Sequence, residues 1–308
     1  MKGSGNGEHQ KNKKIWAMAA GICSIAFVCC LVWLLYSVIT GRRAASELEA
    51  LRESYVETVE DAQDSTAPDF GESETVVGNQ KEETAEAAET TEPSPLLGYE
   101  IPAKDVDIEA LQEKENQDIY AWLTIPGTVI DYPVLQHPEE PDYYLHHNLD
   151  HSSGYPGCIY SQNLNSKEWD DPNTVLYGHN MKNGTMFAEL HYYEDPEFFQ
   201  ENPYVYIFTQ GYVRIYHIFG AYEYDNRHLL LTIDTQDPAA FAAYLVEVQG
   251  LNGLRDHFNE EVSVGIEDKI LTLETCVSNK PEKRYIVQAV LEAEGQWPAA
   301  EETMTQLQ

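Results

Sequence analysis

The stretch Lys269–Leu291, K-I-L-T-L-E-T-C-V-S-N-K-P-E-K-R-Y-I-V-Q-A-V-L, decides how the rest of the chain is read. Apolar and polar residues alternate from Ile270 to Thr275, and Cys276 sits where the run stops. Ser278-Asn279-Lys280-Pro281 is rich in turn formers, and a second alternating run starts at Arg284. Strand, loop, strand is the pattern. Two adjacent strands would carry the Cys276 thiol and the Arg284 guanidinium over the same end of a sheet. A cysteine reacts as its thiolate and needs a base or cation nearby. The histidine best placed by its surroundings is His179, in N-T-V-L-Y-G-H-N-M-K-N-G-T-M-F.

Working outward, the spacing predicts further short strands at 121–125, 128–134, 157–161, 174–177, 204–208, 212–222 and 262–266. Pro126-Gly127, Asn183-Gly184 and Gln210-Gly211 are turn signals between them. Helices are expected over 107–117 with Asp107 as N-cap, over 185–192, and from Asp195-Pro196. The clearest helix runs from Asp237-Pro238 to Gly250, with Phe241, Tyr244, Leu245 and Val248 on one face. About eight short strands with few helices imply a mainly β fold, a closed or nearly closed barrel.

Upstream the composition changes twice. Residues 15–40 are almost wholly apolar, and a bilayer-spanning helix needs about 20 such residues. Lys11, Lys13 and Lys14 precede the run, which puts residues 1–14 in the cytoplasm. A cleaved signal peptide would have a shorter apolar region and a small-residue site after it, whereas this run ends at Arg42-Arg43. The expectation is a retained single-pass anchor with everything beyond it extracellular. Residues 44–95 carry fifteen acids against Arg52 and Lys81, with few large apolar side chains. Such a segment cannot bury enough surface to offset its chain entropy, so 41–95 is expected to be a disordered acidic stalk. The globular domain would span 96–308. A net charge of -33 excludes nucleic acid as a partner.

Of five cysteines, Cys23, Cys29 and Cys30 lie in the apolar run, leaving Cys158 and Cys276 for the globular part. That is not a disulfide scaffold. Cys158 reads as a small buried strand residue. His146, His147 and His151 have no ligand-spaced partner, so a solvated loop is favoured over a metal site. A thiolate at Cys276, an acid–base histidine at His179 and a fixed cation at Arg284 would suit attack on a carbonyl. On spacing alone, strand-end cysteine is more often buried packing, and a histidine near a turn more often a solvated loop residue.

The local sequences shift that balance. N-Q-D-I-Y-A-W-L-T-I-P-G-T-V-I-D-Y-P-V at 116–134, Y-G-H-N-M-K-N-G-T-M-F at 177–187, T-L-E-T-C at 272–276 and R-Y-I-V at 284–287 together resemble a class B sortase. The resemblance covers about residues 100–292 and implies an eight-stranded sortase barrel with added short helices, behind an N-terminal anchor. It implies a cysteine transpeptidase of a Gram-positive cell membrane, with no cofactor or metal. Cys276 would be the nucleophile that cuts a sorting signal after threonine and holds a thioacyl intermediate. His179 would be the acid and base, and Arg284 would position substrate and steady the oxyanion. The donor would be a surface protein with an LPxTG-like signal, the acceptor an amine of a peptidoglycan cross-bridge or a pilin. Where this family often has a small polar residue two before the cysteine, the chain has Glu274. Two other readings use the same residues: a thiol hydrolase that passes the acyl group to water, and a stalked surface barrel in which Cys276 is inert.

Overall fold

The computed structural model describes residues 95–297 without a break, and upstream of them 27–32, 35–36, 39, 43, 46, 48, 50–51 and 56–58. The strands are β1 (Val56–Thr58), β2 (Lys104–Val106), β3 (Ile119–Thr124), β4 (Asp131–Leu135), β5 (Ile159–Ser161) and β6 (Asn173–Tyr177). They continue with β7 (Tyr204–Thr209), β8 (Tyr212–Asp225), β9 (His257–Phe258), β10 (Ile270–Val277) and β11 (Lys280–Gln296). Eight of them close on themselves in the order β11-β10-β6-β5-β4-β3-β7-β8, with β8 paired back to β11 and short β9 added at β8. The mainly β barrel expected from the sequence is what forms.

Closure depends on the two long strands. β8 and β11 pair from Lys283 opposite Asp225 to Gln296 opposite Tyr212, with register shifts at Gln288/Ala289 and Leu291/Ala293. Such bulges bend a strand and raise its twist, which a small barrel requires. Inside lie Ala121, Leu123, Leu176, Ile207, Leu273 and Val287. Trp122, Tyr160, Phe208 and Ile215 lie in a second cluster with Leu111 of helix Ile108–Lys114, whose N-terminal amide at Ala110 is capped by Asp107 at 2.9 Å.

Helix Pro238–Gln249 lays Phe241, Tyr244, Leu245 and Val248 over Ile270, Ile286 and Val290. The alternation in β10 is therefore real, but its polar face is not wet. Thr272 and Gln288 are fully buried beneath this helix. Gln288 Nε2 donates to Tyr244 OH and Thr272 Oγ1, both at 2.8 Å, and its Oε1 accepts from Tyr222 OH at 2.7 Å. Thr272 Oγ1 donates to Asn173 Oδ1 on neighbouring β6 at 2.7 Å.

Three expectations need correction. The run 262–266 forms no strand: the Gly265 amide turns to Asp268 Oδ2, and Val262 and Val264 pack half-buried against the helix cluster without a ladder. The short helix expected over 185–192 is a 3₁₀ helix at Ala188–Glu194. The second alternating run begins at Lys280 rather than Arg284, because Asn279 takes a left-handed φ of 62° and closes the hairpin at once. Within the segment read as a stalk, Leu51 is buried against the barrel, Leu48 packs beside it, and β1 pairs with β2. Most of the apolar run 15–40 lies outside the described residues. Among those described, no helix is long and apolar enough to cross a membrane.

Candidate active site

Strand register brings the singled-out residues together. β6 and β10 run parallel with Tyr177 opposite Glu274, so both chains leave the sheet at the same end. Two residues past Tyr177 is His179, and two past Glu274 is Cys276. On the other side of β10, Cys276 is the register partner of Arg284 in β11. All three line one open cleft of about 270 Å³, with Tyr160, Tyr177 and Glu274 among its other walls. Cys276 is solvent-exposed and free, whereas Cys158 is buried, and burial pushes its thiol well above the usual range. Among the described residues, no cluster of three or more His, Cys, Asp or Glu side chains could hold a metal ion.

The segment carrying His179 is pinned to β10 through Gly178. Its amide donates to the Glu274 carbonyl at 3.2 Å, and its carbonyl accepts from Thr275 Oγ1 at 2.8 Å. Only glycine fits there, since a Cβ would come within 2.5 Å of Ile159 and 2.7 Å of Phe187. The His179 ring packs 4.9 Å from Tyr155, and its Nε2 lies 2.8 Å from the Leu145 carbonyl. That contact makes Nε2 the donor and leaves the lone pair on Nδ1. Burial lowers the His179 pKa, against the opposing effect of the Leu145 hydrogen bond, so the neutral ring is favoured.

Arg284 is held at several points. Its Nη1 donates to the carbonyls of Pro281 and Lys283 at 3.1 and 3.0 Å, and its Nε lies 3.2 Å from Glu274 Oε1. Glu274 shares a face with Cys276, two residues along the same strand. Burial pushes its carboxyl up to about 7, although the Arg284 charge pulls the other way. Glu274 is therefore a wall of the cleft and an anchor for Arg284.

Sequence reasoning passed over the other face of the nucleophile's strand. Asn180 Nδ2 donates to the Cys276 carbonyl at 2.8 Å, and His191 Nε2 lies 3.1 Å from the same oxygen. The adjacency of Asn180 to His179 was a signal for the first; nothing in the sequence around His191 marks the second.

A thiol, a neutral histidine and an anchored guanidinium in one cleft of a closed barrel narrow the choice of family, and the Sortase domain profile matches residues 123–292. The chain belongs to the sortase family. Sortase B of Listeria monocytogenes is 36% identical over 182 residues, covering 58% of this chain and 72% of that protein. Sortase B of Staphylococcus aureus is 29% identical over 180 residues, 58% and 71% of the two chains. Among solved structures, sortase B of Clostridium perfringens superposes with a TM-score of 0.52 at 31% identity, covering 59% of this chain and 98% of that one. A Staphylococcus aureus sortase B–substrate complex gives 0.52 at 27% identity, 60% and 83% covered. This is a class B sortase and a cysteine transpeptidase.

Proposed function

We propose that this sortase cleaves a C-terminal sorting signal after threonine and transfers the surface protein to a primary amine of a cell-wall cross-bridge or a pilin. The observation that carries the residue roles is the common cleft of Cys276, His179 and Arg284 at one end of β6, β10 and β11. Neutral His179 takes the proton of the Cys276 thiol, and the thiolate so formed attacks the threonine carbonyl carbon. Arg284, with its fork already fixed by two carbonyls and Glu274, stabilises the oxyanion that forms. As the tetrahedral centre collapses, the C–N bond breaks and His179 gives its proton to the leaving amine, leaving a thioester on Cys276. The incoming amine then attacks the thioester, His179 takes the amine's proton, the C–S bond breaks, and His179 returns that proton to the departing sulfur, restoring the thiol and the neutral ring. Two buried atoms of the cleft, Tyr177 OH and Gln162 Oε1, have no protein partner among the described residues. They suit the backbone amides of an extended donor peptide.

The same reading places the enzyme at the cell membrane by a single N-terminal helix, with residues 1–14 inside and the barrel outside. Supporting it, the described residues 27–32, 35–36 and 39 are helical, and Phe27, Val28, Leu31, Val32, Leu35 and Ile39 are all exposed.

The test uses the full chain with threonine–glycine donor peptides, with and without a panel of amines, beside Cys276→Ala. An amine-linked product seen by mass spectrometry and absent with Cys276→Ala is expected. Water as the only acceptor would replace transpeptidation by hydrolysis, and a persistent activity in Cys276→Ala would remove the nucleophile from the scheme.

A further inference from the structure

The register of β10 and β11 shifts between Cys276 and Val277, immediately after the nucleophile. A bulge takes backbone groups out of the ladder, and here the Cys276 carbonyl is held by side chains instead. Asn180 Nδ2 donates to it at 2.8 Å, and His191 Nε2 sits 3.1 Å away. The other ring nitrogen, Nδ1, is 2.7 Å from Glu194 Oε1. A carbonyl oxygen and a carboxylate both accept, so with a proton on each ring nitrogen His191 would donate to both. Glu194 is itself fixed by Arg255 at 2.8 Å, and the His191 ring stacks 4.7 Å from Tyr285, the register partner of Thr275.

His191 Nε2 also lies 3.0 Å from Asn180 Nδ2. That nitrogen therefore has two partners suited to its two protonation states. Protonated, it donates to the Cys276 carbonyl. Neutral, with its hydrogen kept on Nδ1 towards Glu194, it accepts from Asn180 and presents a lone pair to that carbonyl. We propose that Asn180, His191 and Glu194 form a positioning clamp on the Cys276 carbonyl, closed when His191 is an imidazolium and slackened when it is neutral.

Resting on Cys276 as the nucleophile, the proposal adds a second proton-dependent element distinct from the acid–base role of His179. The charged and titratable groups around this ring are Glu194 on its own helix, Tyr285 and Lys280 from β11, and Arg255. His257 of β9 contacts the Glu194 carbonyl, and Cys276 itself completes the set. Lys280 is paired with Glu223 at 2.8 Å. Burial pushes the Glu194 carboxyl up, but the His191 hydrogen bond and Arg255 prevail and hold it below the usual range. The clamp opens on a separate cleft of about 320 Å³ lined by Asn180, His191, Glu194, Arg255, Ser278 and Lys280. It can therefore exchange protons with solvent without passing the thiol.

The test compares the full chain with His191→Phe, His191→Gln and Glu194→Gln across pH 5.5–9. A misplaced nucleophile costs turnover more than binding, so His191→Phe is expected to lower kcat about tenfold with KM within about twofold. His191→Gln donates at every pH; it should recover part of that loss and flatten the alkaline side of the kcat profile. Glu194→Gln removes the anion favouring the imidazolium and should move that side to lower pH. Iodoacetamide modification of Cys276 reads the clamp without substrate, and should change its pH dependence in all three variants. If His191→Phe does not fold, the two conservative variants carry the test. Wild-type protein that forms no thioester overturns the proposed function alone, while the alkylation profiles still judge the clamp. Variants whose kcat and alkylation profiles superimpose on wild type overturn the clamp, as does a loss of melting temperature with no change in either profile.

Discussion

Tyr177 and Glu274 face each other as register partners on the parallel strands β6 and β10. Glu274 therefore lies between a tyrosine and Arg284, 10% exposed, in a place that disfavours its charge.

Glu274 makes the stability of the fold depend on pH. A carboxyl at about 7 in the fold against an ordinary 4.5 holds its proton more tightly when folded. Its contribution to stability is complete below the ordinary value and is lost as pH rises through the folded one, a loss on the order of 2–3 kcal/mol. Glu274→Gln removes this dependence. Urea unfolding at pH 4.5 and pH 8 should show the variant gaining on wild type by about that amount at the higher pH. Parallel stabilities would show that Glu274 stays ionised.

Gly178→Ala should disturb both the fold and the chemistry. The new methyl would enter the space of Ile159 and Phe187, at an overpacking cost of about 1–3 kcal/mol. Because Gly178 joins the His179 segment to Glu274 and Thr275, donor-peptide cleavage should fall well below wild type even at temperatures where circular dichroism finds the variant folded. Wild-type cleavage would mean His179 is placed by other contacts.

Gln288→Leu tests the polar layer under helix Pro238–Gln249. It removes the partner of the Tyr222 and Tyr244 hydroxyls and of Thr272, all buried. An unsatisfied buried group costs about 1–3 kcal/mol, and the change should lower the melting temperature. A neutral or stabilising result would show that the layer repacks as an apolar one.

Lys104→Met tests the largely buried ion pair with Asp131. Asp131 Oδ1 accepts from Lys104 at 2.6 Å and from Trp122 and Thr124 at 2.8 Å. Burial pushes this carboxyl up, but the Lys104 charge and those hydrogen bonds hold it below its ordinary value. Its stabilisation is thus present above the ordinary value and lost as pH falls through the folded one. Without Lys104 the burial effect dominates, so the destabilisation, about 3–5 kcal/mol at pH 7, should shrink towards pH 4. An equal loss at both would show that Lys104 acts by packing alone.

The barrel was legible because its strands are separated by clear turns and joined by hairpins such as 204–222. The cleft was legible because Cys276 and Arg284 flank one turn and His179 ends an apolar run. What stayed hidden is long-range. No periodicity reveals that β6 and β10 lie side by side, or that the polar face of β10 is roofed by a helix. Val262–Ile266 misled because its half-buried valines pack on the helix cluster without hydrogen-bonded pairing. His191 was invisible because its meaning comes from a bulge opposite it, 85 residues away.

That side-by-side pairing also sets an order of events. Gly178 and Thr275 meet across 97 residues of chain, and the last wall of the barrel, β11 on β8, is built from its final strand. Contacts so distant in sequence close large loops and are slow to form. Before they form, Cys276 is one more thiol on a mobile chain, without its histidine, its guanidinium or its fixed carbonyl. Acyl-transfer reactivity thus depends on the finished topology and not on the cysteine alone.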